Sequence, residues 1–356
     1  MNFFSKDTRN ALQAKEYAQQ IAFAPMVFQA TKVLRNSGIL AAIKATRSNG
    51  ITLDALVQKT GLPLYGTRVL VEAGLGIGLI LLNDDKYTLT NAGFFILNDE
   101  MTRVNFDFSN DVCYNGMFSL DESIARQKPE GLKVFGEWPT IYEGLSSLPE
   151  NIRKSWLDFD HYYSDNAFET VLPHVFKEKP SKILDIGGNT GKWSIACANY
   201  DADVSMTIAD LPGQTAMAQK NVEAKGLSGR INFTDTDMLD ANRMLPGGFD
   251  AVWMSQFLDC FSEAQIVAIL NKCAGAVNGD GYVYILETFW DKQRFEISAF
   301  CLQMTSLYFT AMANGNSQMY DSKVFFKLIE QAGFTIVEQV DNIGVSHTLL
   351  KCKKIK

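Results

Sequence analysis

The sequence predicts a helical N-terminal module of winged-helix type followed by a doubly wound α/β domain that ends in an antiparallel hairpin. Three patterns carry that reading. Apolar residues recur at helical spacing as far as Arg47. Between Ile51 and Thr90 a helix, a turn, a second helix and a hairpin follow in order. From Ser181 on, short apolar runs alternate with helical stretches.

The 356 residues carry 33 Lys+Arg against 40 Asp+Glu, a formal charge of −7, and 47% are apolar. This is an ordinary globular balance, large enough for two domains. No apolar run approaches the ~18 residues of a membrane span, so no membrane partner is expected. The start, MNFFSKDTRNALQAKEY, turns polar at once where a signal peptide needs an apolar stretch, so a cytoplasmic location is expected. Six cysteines stand singly, which signals neither a disulfide framework nor a metal site and leaves reduced, mostly buried thiols. No block of Lys/Arg offers a footprint for nucleic acid.

Asn10 to Arg47 fits two or three helices, broken at Pro25 and at Asn36-Ser37-Gly38. A short helix from Ile51 to Val57, the turn Thr60-Gly61-Leu62-Pro63 and a helix through Arg68 to Val71 come next. A hairpin follows, with Leu79–Leu82 and Tyr87–Thr90 about the turn Asn83-Asp84-Asp85-Lys86. Between Pro63 and Gly76 the would-be recognition helix carries only Arg68 and Glu72, which cancel. Major-groove readers need a cationic surplus, so this module is expected to pack on protein rather than DNA. Residues from about 100 to 175 are aromatic-rich and irregularly helical. Their aromatics suit either core or the wall of a pocket, and Leu157, His161, Ser164 and Phe168 form one mixed face.

Strands are then expected at Lys182–Ile186, Ser205–Ala209, Arg230–Thr234, Phe249–Ser255 and Tyr282–Glu287. Helices are expected from Trp193 to Asn199, Gln214 to Lys225, Glu263 to Val277 and Lys323 to Ala332. The last two strands, Thr335–Gln339 and His347–Lys351, are joined by the short turn Asp341-Asn342-Ile343-Gly344. They must therefore be antiparallel neighbours, since a parallel pair needs a crossover of about a dozen residues. The expected division is residues 1–100, 101–175 and 176–356.

The first strand of this domain runs into Asp185-Ile186-Gly187-Gly188-Asn189-Thr190-Gly191, a glycine turn at a strand-to-helix junction. Its spacing does not match the dinucleotide fingerprint, and its leading carboxylate would repel a pyrophosphate while attracting a sulfonium and an ammonium. S-adenosylmethionine is such a ligand, and a nicotinamide oxidoreductase is disfavoured on the same grounds. Asp210 ends the second strand, where a carboxylate takes ribose hydroxyls. Asp237-Met238 ends the third, suited to an adenine amino group and ring face, and Glu287 closes the fifth.

The run ILDIGGNTG, then ADLP, then DM, then the terminal hairpin resembles class I S-adenosylmethionine-dependent methyltransferases. With its winged-helix-like module the whole chain is similar to plant caffeate/isoflavone-type and bacterial secondary-metabolite O-methyltransferases. The resemblance implies a Rossmann-like domain, a homodimer intertwined through the N-terminal module, and a small aromatic, phenolic acceptor. It also implies that the product S-adenosylhomocysteine leaves a cofactor site made by Asp185, Gly187, Gly188 and Gly191, by Asp210 and Leu211, by Asp237 and Met238, and by Ser255 and Gln256.

At the position of the family's general-base histidine this chain reads Phe257-Leu258-Asp259-Cys260-Phe261, so Asp259 stands in for it. A carboxylate with an ordinary pKa near ~3.9 is poorly matched to a phenol near ~10 unless burial raises it. Three readings stay open. Asp259 is a base or an orienting group; another residue, His161 first among the three histidines, supplies the base; or the chain binds cofactor without transferring methyl, as a winged-helix regulator. His174 and His347 read as structural. Catalytic candidates are thus Asp259, His161 and Glu287, and the acceptor is expected among Trp156, Tyr162, Phe300, Met304, Tyr308 and Asn314. The segment Ala313 to Tyr320 resembles methyltransferases of aryl-polyene and flexirubin-type pigments, which implies C-methylation ortho to a phenol as the alternative to the favoured O-methylation.

Overall fold

Capping side chains and left-handed residues divide the N-terminal hundred residues. In the computed structural model, which describes residues 3–355, the Asn10 side chain accepts from the Gln13 N–H while the Gln13 side chain accepts from the Asn10 N–H, opening α1 (Ala11–Ala22). Pro25 lies in the first turn of α2 (Ala24–Asn36), where its missing N–H has no partner to lose, so the break falls at Phe23. Gly38, at φ +83°, opens α3 (Ile39–Ala45). Thr52 caps α4 (Leu53–Thr60), Gly61 ends it in the left-handed region, and α5 (Leu64–Ile77) follows Pro63. Asp84 and Asp85, at φ +46° and +57°, form the two-residue turn between β1 (Ile80–Asn83) and β2 (Lys86–Leu89). After them come α6 (Asn91–Asn98) and α7 (Glu100–Phe108).

The chain divides into two compact units, Phe4–Asp107 and the stretch from Phe108 on. The first has its own core, in which Leu34, Leu40, Ile43, Leu56, Val71 and Ile80 are buried. The second begins with a helical layer containing α8 (Leu120–Arg126) and α9 (Ile141–Gly144). The segment read in sequence as irregular then forms one 27-residue helix, α10 (Glu150–Phe176), with Pro173 in its last turn.

The sheet follows: β3 (Lys182–Ile186), α11 (Lys192–Tyr200), β4 (Ser205–Asp210), α12 (Pro212–Ala224), β5 (Ile231–Asp235), β6 (Phe249–Ser255), α13 (Glu263–Ala276), β7 (Val277–Thr288), α14 (Glu296–Tyr308), α15 (Ser322–Gln331), β8 (Phe334–Ile343) and β9 (His347–Lys354). The strand order is β5-β4-β3-β6-β7-β9-β8, with the first five strands parallel and β9 antiparallel to both β7 and β8. Three details differ from expectation. β7 starts at Val277, because Val277 pairs with Phe249 before a register shift. The terminal turn lies beyond Ile343, which still pairs with His347. The residues of α14, for which the sequence names no element, form a helix continued by a π turn at Phe309–Ala313.

Alternation along the strands sends side chains to two cores. Leu184 and Ile186 pack with Ile269 of α13 and Phe325 of α15, and Ile183 and Met206 pack with Val171 of α10 and Cys197 of α11. β3 lies between β4 and β6, so the chain reverses its direction of winding there and opens a crevice at the carboxyl ends of these strands. Among the described residues no helix is long and apolar enough to cross a membrane.

Candidate active site

The crevice leads into a cavity of about 940 Å³ lined wholly by residues from Phe108 on. That is ample for a drug-sized ligand and a second small molecule. Along one part of its wall run the carboxyl ends of β3 to β6. Asp185 is 1% exposed, and Ser194 Oγ donates to its Oδ2 at 2.6 Å. Burial pushes this carboxyl up to about 7 against that hydrogen bond. Asp210 accepts from the backbone N–H groups of Asn189 at 2.8 Å and Leu211 at 2.7 Å, and burial still raises it to about 6. Among the described residues neither has a cation in hydrogen-bond range.

The glycine turn is tight for a reason that can be measured. A Cβ on Gly188 would lie 2.8 Å from Ile208 Cγ2 and 3.0 Å from Asp185 Oδ2, and one on Gly187, at φ +71°, would lie 2.2 Å from Phe257. Asn189, at φ +47°, and Gln256, at φ +46°, hold left-handed conformations uncommon for side-chain-bearing residues, one on each side of the crevice. Gly187, Gly188, Asp210, Leu211, Asp237, Met238, Ser255 and Gln256 all line the cavity with Asp185. Gly191 does not. It starts α11 at φ +80°, and a Cβ there would sit 3.3 Å from Ala218, so its place is in helix entry and packing.

Aromatic side chains make another part of the wall. Trp156 Nε1 donates to Tyr308 Oη at 2.7 Å, Phe108 stacks on Phe159 with centroids 4.1 Å apart, and all four residues line the cavity. Asp259 is 4% exposed and has no basic neighbour in hydrogen-bond range among the described residues; the Cys260 thiol donates to its Oδ1 at 3.4 Å. Burial pushes Asp259 up to about 7, and the nearby Asp160 carboxylate adds to the rise.

Besides Gly191, four expected site residues are placed elsewhere, and another, Asn314, has its polar atoms committed. Glu287 is 1% exposed and does not line the cavity; its Oε1 accepts from the N–H groups of Phe257 at 3.0 Å and Leu258 at 2.8 Å. It therefore holds the segment that presents Asp259, and burial with the Asp259 charge keeps its own carboxyl well above the usual range. Phe300 and Met304 are each 44% exposed on α14 and do not line the cavity, because only the last turn of α14 and the π turn reach it, through Thr305, Tyr308 and Phe309. Tyr162 is also absent from the wall, which α10 faces with Trp156, Asp160, Ser164 and Phe168, spaced four apart and two residues out of phase with Tyr162. Asn314 does line the cavity, but its amide donates to Cys260 O and Ser317 Oγ and accepts from the N–H groups of Asn316 and Ser317. It stitches its loop to the Asp259 segment.

His161 lines the cavity with Nδ1 at 3.6 Å from Asp165 and 3.8 Å from Asp160. His174 faces Glu338 at 3.5 Å, and His347 is fully buried in apolar surroundings that lower its imidazole to about 4. Asp160 was missed in the sequence; the four-residue stripe through Trp156 was the signal that would have found it.

Comparison with known proteins decides the family. Residues 119–335, more than half of the chain, match the O-methyltransferase domain, and residues 15–87 match a Dimerisation2-like domain. The chain is an S-adenosylmethionine-dependent methyltransferase of the O-methyltransferase family. The methyltransferase is 24% identical over 289 residues to the L-tyrosine C(3)-methyltransferase of Streptomyces lavendulae, covering 80% of this chain and 78% of that one. It is 22% identical to the cephaeline 6'-O-methyltransferase of Carapichea ipecacuanha over 93% of both chains. Its fold matches NcsB1, an O-methyltransferase from neocarzinostatin biosynthesis solved with S-adenosylmethionine and 2-hydroxy-5-methyl naphthoic acid, at a TM-score of 0.69 and 20% identity over 92% of this chain and 96% of that one.

The wall of this methyltransferase fits the cofactor. Besides the carboxylates without cations, Asn189 Oδ1, Trp193 Nε1, Ser255 Oγ and Gln256 Nε2 are buried polar atoms on it with no hydrogen-bond partner among the described residues. Buried polar groups are seldom left so, and a ligand rich in hydroxyl, amino and ring-nitrogen groups would satisfy them.

Proposed function

We propose that this enzyme methylates a small phenolic acceptor, with oxygen as the favoured methyl acceptor and Asp259 as the group that takes the hydroxyl proton. The observation that supports this is one cavity with two chemistries. Carboxylates and a glycine turn line it, and so do Trp156, Phe159, Tyr308 and Phe309 together with Asp259. Bound against the strand ends, S-adenosylmethionine supplies an electrophilic methyl on a sulfonium. In this reading Asp210 holds the ribose, and Asp237 with Met238 holds the adenine. The aromatic wall orients the phenol and excludes water, so that positioning carries much of the rate. Asp259 would accept the phenolic proton as the oxygen takes the methyl, the methyl–sulfur bond breaks and S-adenosylhomocysteine leaves, and its raised pKa brings it closer to the phenol than an ordinary carboxylate is.

A second reading has a specific observation behind it. The relative matched over 80% of the chain is named a C(3)-methyltransferase of tyrosine. Here the same Asp259, by accepting a hydrogen bond from the phenol, would raise electron density at the ortho carbon; that carbon would take the methyl as the methyl–sulfur bond breaks and S-adenosylhomocysteine leaves, and its proton would pass to solvent. A homodimer through the N-terminal unit is part of the proposal, supported by the Dimerisation2-like match and by exposed apolar side chains there.

The test is to incubate the protein with S-adenosylmethionine and a panel of phenols and follow products by mass spectrometry, with NMR to place the methyl group. Transfer to oxygen is expected. Transfer to ring carbon selects the second reading, and binding of S-adenosylhomocysteine without transfer to any phenol in the panel would favour a regulator.

A further inference from the structure

We propose that Asp160 and the side-chain carbonyl of Asn189 hold the ammonium group at the amino-acid end of the cofactor. This rests on the reading that S-adenosylmethionine fills the cavity, and adds residues from α10 and from the tip of the glycine turn.

Asn189 is the pivot. Its backbone N–H is spent on Asp210 Oδ2 at 2.8 Å, the carboxylate assigned to the ribose. Its side-chain amide donates to Asp160 Oδ2 at 3.3 Å across to α10. That leaves Asn189 Oδ1 as a buried acceptor with no partner among the described residues, on the wall of the cavity and on the same amide that touches Asp160. A carboxylate and a carbonyl so linked make an acceptor-only pair, which suits a group with several N–H donors and a positive charge. His161 Nδ1 stands 3.8 Å from Asp160, outside hydrogen-bond range, and Lys192 Nζ is bound to Asp165 at 2.5 Å, so neither fills the hydrogen-bonding positions that face Asn189.

The place also suits the ligand. With the ribose at Asp210, the amino-acid end must continue along the glycine turn, and Asn189 lies between Asp210 and Asp160. Lys192 and His161, which line the same region around Asp165, balance the carboxylate that this end also carries. On this account His161 belongs to the cofactor's surroundings rather than to proton transfer.

Calorimetry with two ligands tests it. S-adenosylhomocysteine keeps the amino-acid end, and 5′-methylthioadenosine lacks it. For Asp160→Asn we expect S-adenosylhomocysteine to bind roughly ten- to a hundredfold more weakly, as for loss of a charged hydrogen bond, and 5′-methylthioadenosine to bind within about twofold of wild type. The second ligand reports that the variant is folded. Should Asp160→Asn fail to fold, Asn189→Gly keeps the left-handed backbone and its N–H while removing the carbonyl, and the same selective loss is expected. Equal weakening of both ligands, or of neither, overturns the proposal. So does unchanged S-adenosylhomocysteine affinity with a raised KM for the phenol, which would place Asp160 on the acceptor. If the wild type binds no S-adenosylhomocysteine, the cofactor assignment itself falls, and this inference with it.

Discussion

The two units of this chain leave opposite kinds of side chain unsettled. Between Phe4 and Asp107 the surplus is apolar and outside: Leu12 and Met26 are each 65% exposed, Tyr65 80% and Phe23 56%. From Phe108 on it is charged and inside, with Asp185, Asp259 and Glu287 at 4% exposure or less and no cation in hydrogen-bond range of any of them. Neither surplus is favourable for an isolated chain, since exposed apolar clusters mark association sites and buried carboxylates resist ionisation. Together they support the proposal of a second copy on the apolar surface, beside the cationic cofactor that the cavity receives.

The sharpest way to break this contrast is at the buried end. Asp259→Asn is expected to lower kcat/KM by about 10²–10⁴, the usual worth of a general base, and to flatten the acidic limb of the pH profile, while leaving S-adenosylhomocysteine affinity unchanged by calorimetry. That limb should lie near pH 7 in the wild type, because activity needs the ionised carboxylate and burial has raised it to about 7. Full activity in the variant would remove Asp259 from proton transfer. Next in size, Asp210→Ala should weaken S-adenosylmethionine by ~1.5–3 kcal/mol through lost charged hydrogen bonds, read as a shift in Kd.

The apolar surplus gives a smaller effect. Met26→Glu should raise the dissociation constant of the dimer about tenfold or more in sedimentation equilibrium, the order expected for an interface anchor; an unchanged mass distribution would move the interface elsewhere. The smallest effect separates two related ligands. Asp185 and Asp210 stand at about 7 and about 6, so both gain protons as the pH falls from 7.5 to 5.5. Fewer negative charges then face the ligand, and S-adenosylmethionine should bind several-fold more weakly at the lower pH. S-adenosylhomocysteine, without the sulfonium charge, should lose less. A loss of equal size for both would mean that these carboxylates do not respond to the sulfonium.

The two ends of the cavity also differ in how far they can be read from sequence. Asp185, Asp210, Asp237 and Ser255 lie at or just past strand ends, and strand ends follow from a two-residue period and its punctuation. Their common position beside the reversal between β4, β3 and β6 is then a matter of topology. Helix faces are less forgiving, because one residue is 100°. Trp156 and His161 line the cavity as expected, whereas Tyr162, two residues from both Asp160 and Ser164, is turned about 200° away from them. Phe300 and Met304 share a helix with Tyr308, yet only the last turn and the π turn after it reach the cavity, and no local pattern announces where an extra residue enters a helix. Glu287 was legible as a strand-end acid but not as a support for Phe257 and Leu258, since that depends on the left-handed turn at Gln256.

The most direct measurement is calorimetry of the purified chain near pH 7.5 with S-adenosylmethionine, S-adenosylhomocysteine and NADH in parallel. Saturable binding of both adenosyl sulfur ligands with no heat from NADH is the predicted result. Silence from the first two, or tight binding of the diphosphate, would contradict a cavity built to receive a cation.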